Sequence, residues 1–313
     1  MASTESEANK IHYETIAANA GKLTSPQAMI DFNDTHWTAL TGEPRGVDYI
    51  EVDAGGVPAM WIAPKGADEQ RVLFYAHGGG FIGGSIYTHR KLAGHLAKAV
   101  GCRALLYDYP LAHQAKHPAQ LEAAMTAWNW LIDQGFDPGS IVIAGDSCGA
   151  VLAYGVLQRL RAQGRSLPVA TLIISGWFDM ALTAASFETN RDKDPGFAKA
   201  GVDWLAANFI GDADRRDPEV SPLYADLSGF PPVFLQAGAD ETLVDESRMF
   251  AERARQAGVE TRLDVFDGML HSFQMMAGRA PEADDAIARL AAWVRPKLGL
   301  PDARNTTAGA KAA

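Results

Sequence analysis

Apolar and polar positions alternate along the chain in two different rhythms, and the rhythms take turns. "VDYIEVDAGGVPAMWIAP" alternates on either side of Gly55 and Gly56, which predicts an antiparallel hairpin. Beyond it, unbroken apolar runs exchange with three-and-four spacings. "RVLFYAH" predicts a buried strand, followed by a glycine-rich loop and a helix carrying Leu92, Leu96 and Val100. "RALLYDY" predicts the next strand, and Leu121, Met125, Trp128 and Ile132 then share one helical face. "SIVIAGD" runs into the helix "GAVLAYGVLQRLRAQG". "TLIISGW", "PVFLQAG" and "TRLDVF" complete the strands, with a helix from about Asp245 to Ala257 between the last two. Strands alternating with helices predict an α/β fold with a mostly parallel central sheet flanked by helices. The leading hairpin makes that sheet mixed.

Two regions stand outside this rhythm. Residues 10–20 and 25–41 are weakly helical, with Trp37 and Leu40 as apolar anchors. A long connection rich in Asp, Arg and aromatics separates "IISGWFD" from "PPVFLQAG", with "FAKAGVDWLAANFIG" helical inside it. Connections of that length are usually functional. The expected organisation is an N-terminal helical cap segment at 1–45, a first core part at 46–178 and a cap insertion at 179–229. A second core part follows at 230–300. The remaining stretch, 301–313, is small and polar and reads as a disordered tail. No internal repeat is seen.

Composition narrows the partners. Of 313 residues 47% are apolar, enough for a full core, and the net charge of −10 has no basic block to offset it. That argues against nucleic acid or an anionic membrane as the main partner. The polar N-terminus has no apolar h-region and no stretch is long enough to span a bilayer. Two cysteines, Cys102 and Cys148, make no disulfide framework and are expected to be reduced in a cytoplasm. The histidines lack metal-binding spacing such as HExxH, so no metal is expected.

Three stretches fall beyond the carboxyl ends of the predicted strands, where open α/β sheets place their sites. "GDSCG" (145–149) is G-x-S-x-G between a buried strand and a helix, the setting in which a sharp turn exposes a nucleophilic serine, here Ser147. A serine needs a base. Only His271, in "GMLHSF", lies beyond Ser147 in the sequence and follows the last strand. "AGADETLVDES" offers Asp240, Glu241 and Asp245 as the acid. Asp240 comes first after its strand and is the expected choice, with Asp245 better placed to cap the next helix. The glycines of "HGGGF" then have a purpose: acyl transfer builds charge on the carbonyl oxygen, and bare backbone amides can approach it. Gly78, Gly79 and the amide of Cys148 are the expected oxyanion donors. Among the aromatics, Trp37, Phe81, Trp177, Phe178, Phe197, Trp204 and Phe209 are candidates to line an apolar pocket. Of these Phe81, Trp177, Phe178, Trp204 and Phe209 are assigned to substrate binding.

With "HGGGF", "YPLAHQAKHPA", "GDSCG", "SPLYADLSGFPPVFLQAGADETLVDES" and "GMLHSF" in order, residues 45 to 297 resemble the bacterial branch of the hormone-sensitive-lipase family of carboxylesterases. The resemblance implies an α/β-hydrolase fold with a two-part helical cap. It also implies an ester-cleaving triad of Ser147, Asp240 and His271 that needs no metal or cofactor, and a homodimer through an edge strand or the last helix. A cap that narrows the pocket would favour short- to medium-chain esters. Two departures stand out. Cys148 replaces the family's usual alanine, which leaves the amide role intact. "YPLAHQ" stands for a Tyr-Arg-Leu-Ala-Pro-Glu run, with Pro110 in place of arginine and His113 in place of proline, so an ion pair made there is not expected to carry over, and the triad is untouched. The same triad would open lactones. An amidase lacks support in the residues, and a non-catalytic binding protein on this fold is disfavoured by the presence of His271.

Overall fold

The computed structural model describes residues 2–19, 22 and 25–301. Helices α1 (Glu7–Asn19) and α2 (Pro26–Leu40) open the chain. Ser25 starts the second by accepting the Ala28 amide. Strands β1 (Val47–Asp53) and β2 (Pro58–Pro64) form the expected hairpin, with Val47 opposite Pro64 and Asp53 opposite Pro58. The sheet continues with β3 (Asp68–Ala76), β4 (Cys102–Tyr107), β5 (Ile141–Asp146), β6 (Ala170–Ile174), β7 (Val233–Gly238) and β8 (Thr261–Phe266). Among the described residues its spatial order is β1-β2-β4-β3-β5-β6-β7-β8. β2 is antiparallel to β1 and β4, whereas every pair from β4 to β8 is parallel.

The apolar runs of the central strands follow from burial on both faces. Along β3, Val72, Phe74 and Ala76 point into one core, and Leu73 and Tyr75 into the other. The second core holds α3 (Ile86–Val100) and α9 (Pro281–Val294); the first holds α4 (Ala119–Asp133), α5 (Gly149–Ala162) and α8 (Val244–Gln256). Helix α3 has firm ends. Ser85 and Thr88 form a capping box, and Gly101 closes the helix with φ +79°.

Between β6 and β7 lie α6 (Ser186–Thr189) and α7 (Lys199–Ile210), inside the long connection read as a cap insertion. Asp245 sits within the first turn of α8 rather than at its cap position, which Leu243 occupies without a side-chain bond. There its charge still favours the helix N-terminus. The stretch read as a polar tail lies, from residue 302 onward, outside the described residues.

Candidate active site

Ser147 ends the strand-to-helix turn after β5 with φ +53°, a left-handed conformation that non-glycine residues adopt only where their surroundings hold it. Two backbone bonds do so: its amide donates to the Ile174 carbonyl at 2.9 Å, and its carbonyl accepts the Trp177 amide at 3.0 Å. A side chain on Gly149 would collide with the Ala76 carbonyl, so helix α5 approaches β3 this closely only because glycine stands there. The helix itself starts at Cys148 without a side-chain cap. Ser147 is therefore not a helix-capping serine.

His271 follows β8 in a loop tied to the turn after β7. The Ala239 amide bonds Phe266 O at 2.8 Å and the Asp240 amide bonds Met269 O at 3.0 Å. His271 is buried, and its Nδ1 lies 3.2 Å from Oε2 of the fully buried Glu241. This corrects the expected acid. Asp240 faces outward, with its Oδ1 2.9 Å from Lys193 Nζ. Successive side chains of the turn point in opposite directions, so the residue nearest the strand end faces the solvent side and the next reaches the histidine. Glu241 is fixed from behind: Asn190 Nδ2 donates to its carbonyl at 2.9 Å and Asp194 accepts the Thr242 amide at 2.9 Å. No local sequence pattern separates the two neighbours; their burial does.

The glycine loop also needs one correction. Gly78 donates its amide to Asp146 Oδ1 at 3.0 Å, which takes it away from any substrate oxygen. Gly79 and Gly80, at φ +120° and +61°, line a cavity together with Ser147. A side chain on Gly79 would run into the Gly83 carbonyl. Sequence reasoning missed Gly80 because three consecutive glycines give no clue to which amide is already bonded. Cys148 has its amide at the first turn of α5, and burial pushes its thiol up to about 12. A thiol so suppressed is no rival to the serine. Just ahead of Ser147, burial works to raise Asp146, but the His89 imidazole beside it and the Tyr75 hydroxyl hold its carboxyl below the usual range.

The cavity has a volume of about 490 Å³ and a mainly apolar wall, from Tyr13 and Ile16 of α1, Met29, Phe32 and Trp37 of α2, and Phe197, Val202, Trp204 and Leu205 near or on α7. Of the aromatics assigned to substrate, only Trp204 lines it. Phe81 and Phe209 are fully buried and stack on each other at 3.7 Å, Phe178 stacks on Phe250 at 4.1 Å, and Trp177 is buried with its indole N–H on the Asp179 carbonyl at 3.3 Å. These four are core. Tyr13, which no pattern singled out, donates its hydroxyl to the His271 carbonyl at 3.0 Å. Burial pushes its phenol well above the ordinary range and so keeps it a donor. Phe197 packs on the His271 ring at 4.2 Å. The wall of the cavity and the back of the histidine are thus the same residues.

Comparison with known proteins agrees with this geometry. The family described as alpha/beta hydrolase fold matches residues 73–275. An esterase from Acinetobacter venetianus is 37% identical over 72% of this chain and 75% of its own length. An acetyl-hydrolase from Streptomyces hygroscopicus is 35% identical, over 88% of this chain and 99% of its own. A solved esterase from the bacterial hormone-sensitive lipase family superposes with a TM-score of 0.89 at 37% identity, covering 96% of this chain and 100% of that one. With serine turn, glycine loop and buried histidine–carboxylate pair on that frame, the chain belongs to the α/β-hydrolase family, in its hormone-sensitive-lipase branch of carboxylic ester hydrolases.

Proposed function

We propose that the protein is a serine carboxylesterase working through an acyl-enzyme, with Ser147 as nucleophile, His271 as base and Glu241 as the acid. The observation that carries this is the buried Glu241–His271 pair, at 3.2 Å, beneath the cavity wall that also holds Ser147. Ser147 attacks the ester carbonyl while His271 takes its proton. Glu241 fixes the imidazole tautomer and steadies the imidazolium. The amides of Gly79, Gly80 and Cys148 receive the developing oxyanion, a role worth about 3–4 kcal/mol per donor. The alcohol leaves with the proton from His271, and water then repeats the sequence to release the acid.

The two helical segments, residues 1–45 and 179–229, act as the cap. Their apolar side chains and the modest cavity favour acyl groups of short to medium length, within the usual size of small-molecule sites. Relatives named acetyl-hydrolase and ethyl acetate hydrolase support the short end of that range. Lactones are the second substrate class open to the same machinery. The test is acid release in a pH-stat from a short open-chain ester and the lactone of equal carbon count, with Ser147→Ala as blank. Faster turnover of the open-chain ester supports the carboxylesterase reading, and faster lactone opening replaces it. Equal hydrolysis by the wild type and Ser147→Ala sinks both.

A further inference from the structure

Asp146 stands immediately before the nucleophile, fully buried, with three partners that the proposed chemistry does not use. Its Oδ1 accepts the Tyr75 hydroxyl at 2.9 Å and the Gly78 amide at 3.0 Å. Its Oδ2 lies 3.3 Å from Nε2 of His89, also fully buried. The Thr88 hydroxyl lies 2.8 Å from His89 Nδ1, which leaves Nε2 to face the carboxylate. A carboxylate placed in a dry interior is costly unless it is paired and hydrogen-bonded; here Oδ1 takes two hydrogen bonds and Oδ2 faces the His89 ring. A side chain on Gly78 would collide with the Asp146 carboxylate. The glycine at this position is therefore dictated by the aspartate and not by a substrate.

We infer that Asp146, braced by His89, is the positioning residue of the oxyanion hole. By holding the Gly78 amide it fixes where the loop leaves β3, so that the next two residues turn through left-handed conformations with Gly79 and Gly80 along the cavity. Because Asp146 is also the neighbour of Ser147, one residue sets the spacing between nucleophile and oxyanion donors. His77 adds a second brace. Its ring stacks on Tyr109 at 4.2 Å, and its carbonyl accepts the Tyr109 hydroxyl at 2.7 Å. The inference rests on the serine-esterase reading above.

The experiment compares wild type, Asp146→Ala, Asp146→Asn, His89→Leu and Ser147→Ala, each normalised to its folded fraction. It measures kcat and KM for p-nitrophenyl acetate and the inhibition constant of an alkyl trifluoromethyl ketone, whose adduct on a serine carries an oxyanion. Asp146→Ala is expected to lower kcat by about 10²-fold with KM nearly unchanged, and to weaken the ketone by a similar factor. Asp146→Asn, which keeps an acceptor for Gly78, recovers most of that loss. A merely structural aspartate lowers the yield or melting point of the variants but leaves these ratios per folded molecule alone, and that result overturns the inference. If Asp146→Ala does not fold, His89→Leu decides: a kcat down about 10-fold supports the inference, and an unchanged kcat overturns it. A wild type no faster than Ser147→Ala defeats the serine reading and this inference together. A serine-dependent wild type with insensitive Asp146→Ala and His89→Leu variants defeats this inference alone.

Discussion

Asp240 and Glu241 are neighbours of like charge, yet only Glu241 is buried against an imidazole. An exposed ion pair such as Asp240 with Lys193 contributes little, because water and salt screen it. Glu241→Gln is expected to lower kcat by about 10³–10⁴-fold, since an amide offers the wrong partner to the imidazolium. Asp240→Asn is expected to stay within a few-fold of wild type. Both are read from p-nitrophenyl butyrate hydrolysis, and the reverse ranking would return the role to Asp240. Cysteine supplies a second prediction at this scale. Cys102 and Cys148 are both free and buried, and burial raises both thiols, that of Cys148 to about 12. Neither should react with a maleimide at pH 8 while the protein is folded, and both should react in denaturant, as read by intact mass. Labelling of the native protein would contradict the buried placement.

At the scale of elements, hydrophobic periodicity carried most of the information. Strands β3 to β7 are mostly or wholly buried, so their apolar runs are long and their ends are marked by the loops that bear the site, whereas β8, at the sheet edge, is half-buried throughout. Leu121, Met125 and Trp128 show the same of α4, buried on the face their spacing predicts, and Ile132, the fourth of that face, packs half-buried against the same core. What the sequence left illegible depends on turns and on contacts across the chain. The direction of a side chain in the turn after β7, the bonded state of three successive glycine amides, and the stacking of Phe81 on Phe209 are tertiary facts without a local pattern. Helix α7 illustrates the division. Phe209 is fully buried, whereas Trp204 is half-exposed at the cavity wall. Truncating an exposed wall residue widens the site at little cost in packing. Trp204→Ala is therefore expected to raise the ratio of kcat/KM for hexanoate over acetate esters about three- to tenfold, with the melting point nearly unchanged. A flat ratio would place the acyl chain elsewhere in the cavity.

Across the whole molecule, the N-terminal helices are latched to the core at several points, and one latch is sensitive to acid. Thr41 Oγ1 donates to the Met275 carbonyl at 2.6 Å, Lys91 Nζ donates to the Thr38 carbonyl at 3.1 Å, and Tyr13 reaches His271. His12, one residue before Tyr13, is buried against Trp37 at 6.1 Å and has His36 at 6.4 Å. Burial first, and His36 second, lower its pKa to about 4 from an ordinary 6.5. The folded state thus resists a proton that the unfolded chain accepts. Between pH 6.5 and 4 the unfolded state binds more protons, so stability falls as pH falls through that window and is fully present above it. A shift of this size corresponds to about 3 kcal/mol, a sizeable share of the roughly 5–15 kcal/mol that holds a domain together. The buried Glu246 is shifted the other way, well above its ordinary range, and so contributes stability at acid pH that is lost as pH rises. Comparing two proteins that share Glu246 removes it from the difference. His12→Gln cannot take up a proton, so its melting point should fall less than that of the wild type between pH 6.5 and 4.5, by several degrees. Esterase activity should track the difference after brief acid exposure, because the helix that carries His12 also carries the tyrosine on the catalytic loop. Parallel melting curves for the two proteins would remove His12 from the acid response and leave its burial without a thermodynamic consequence.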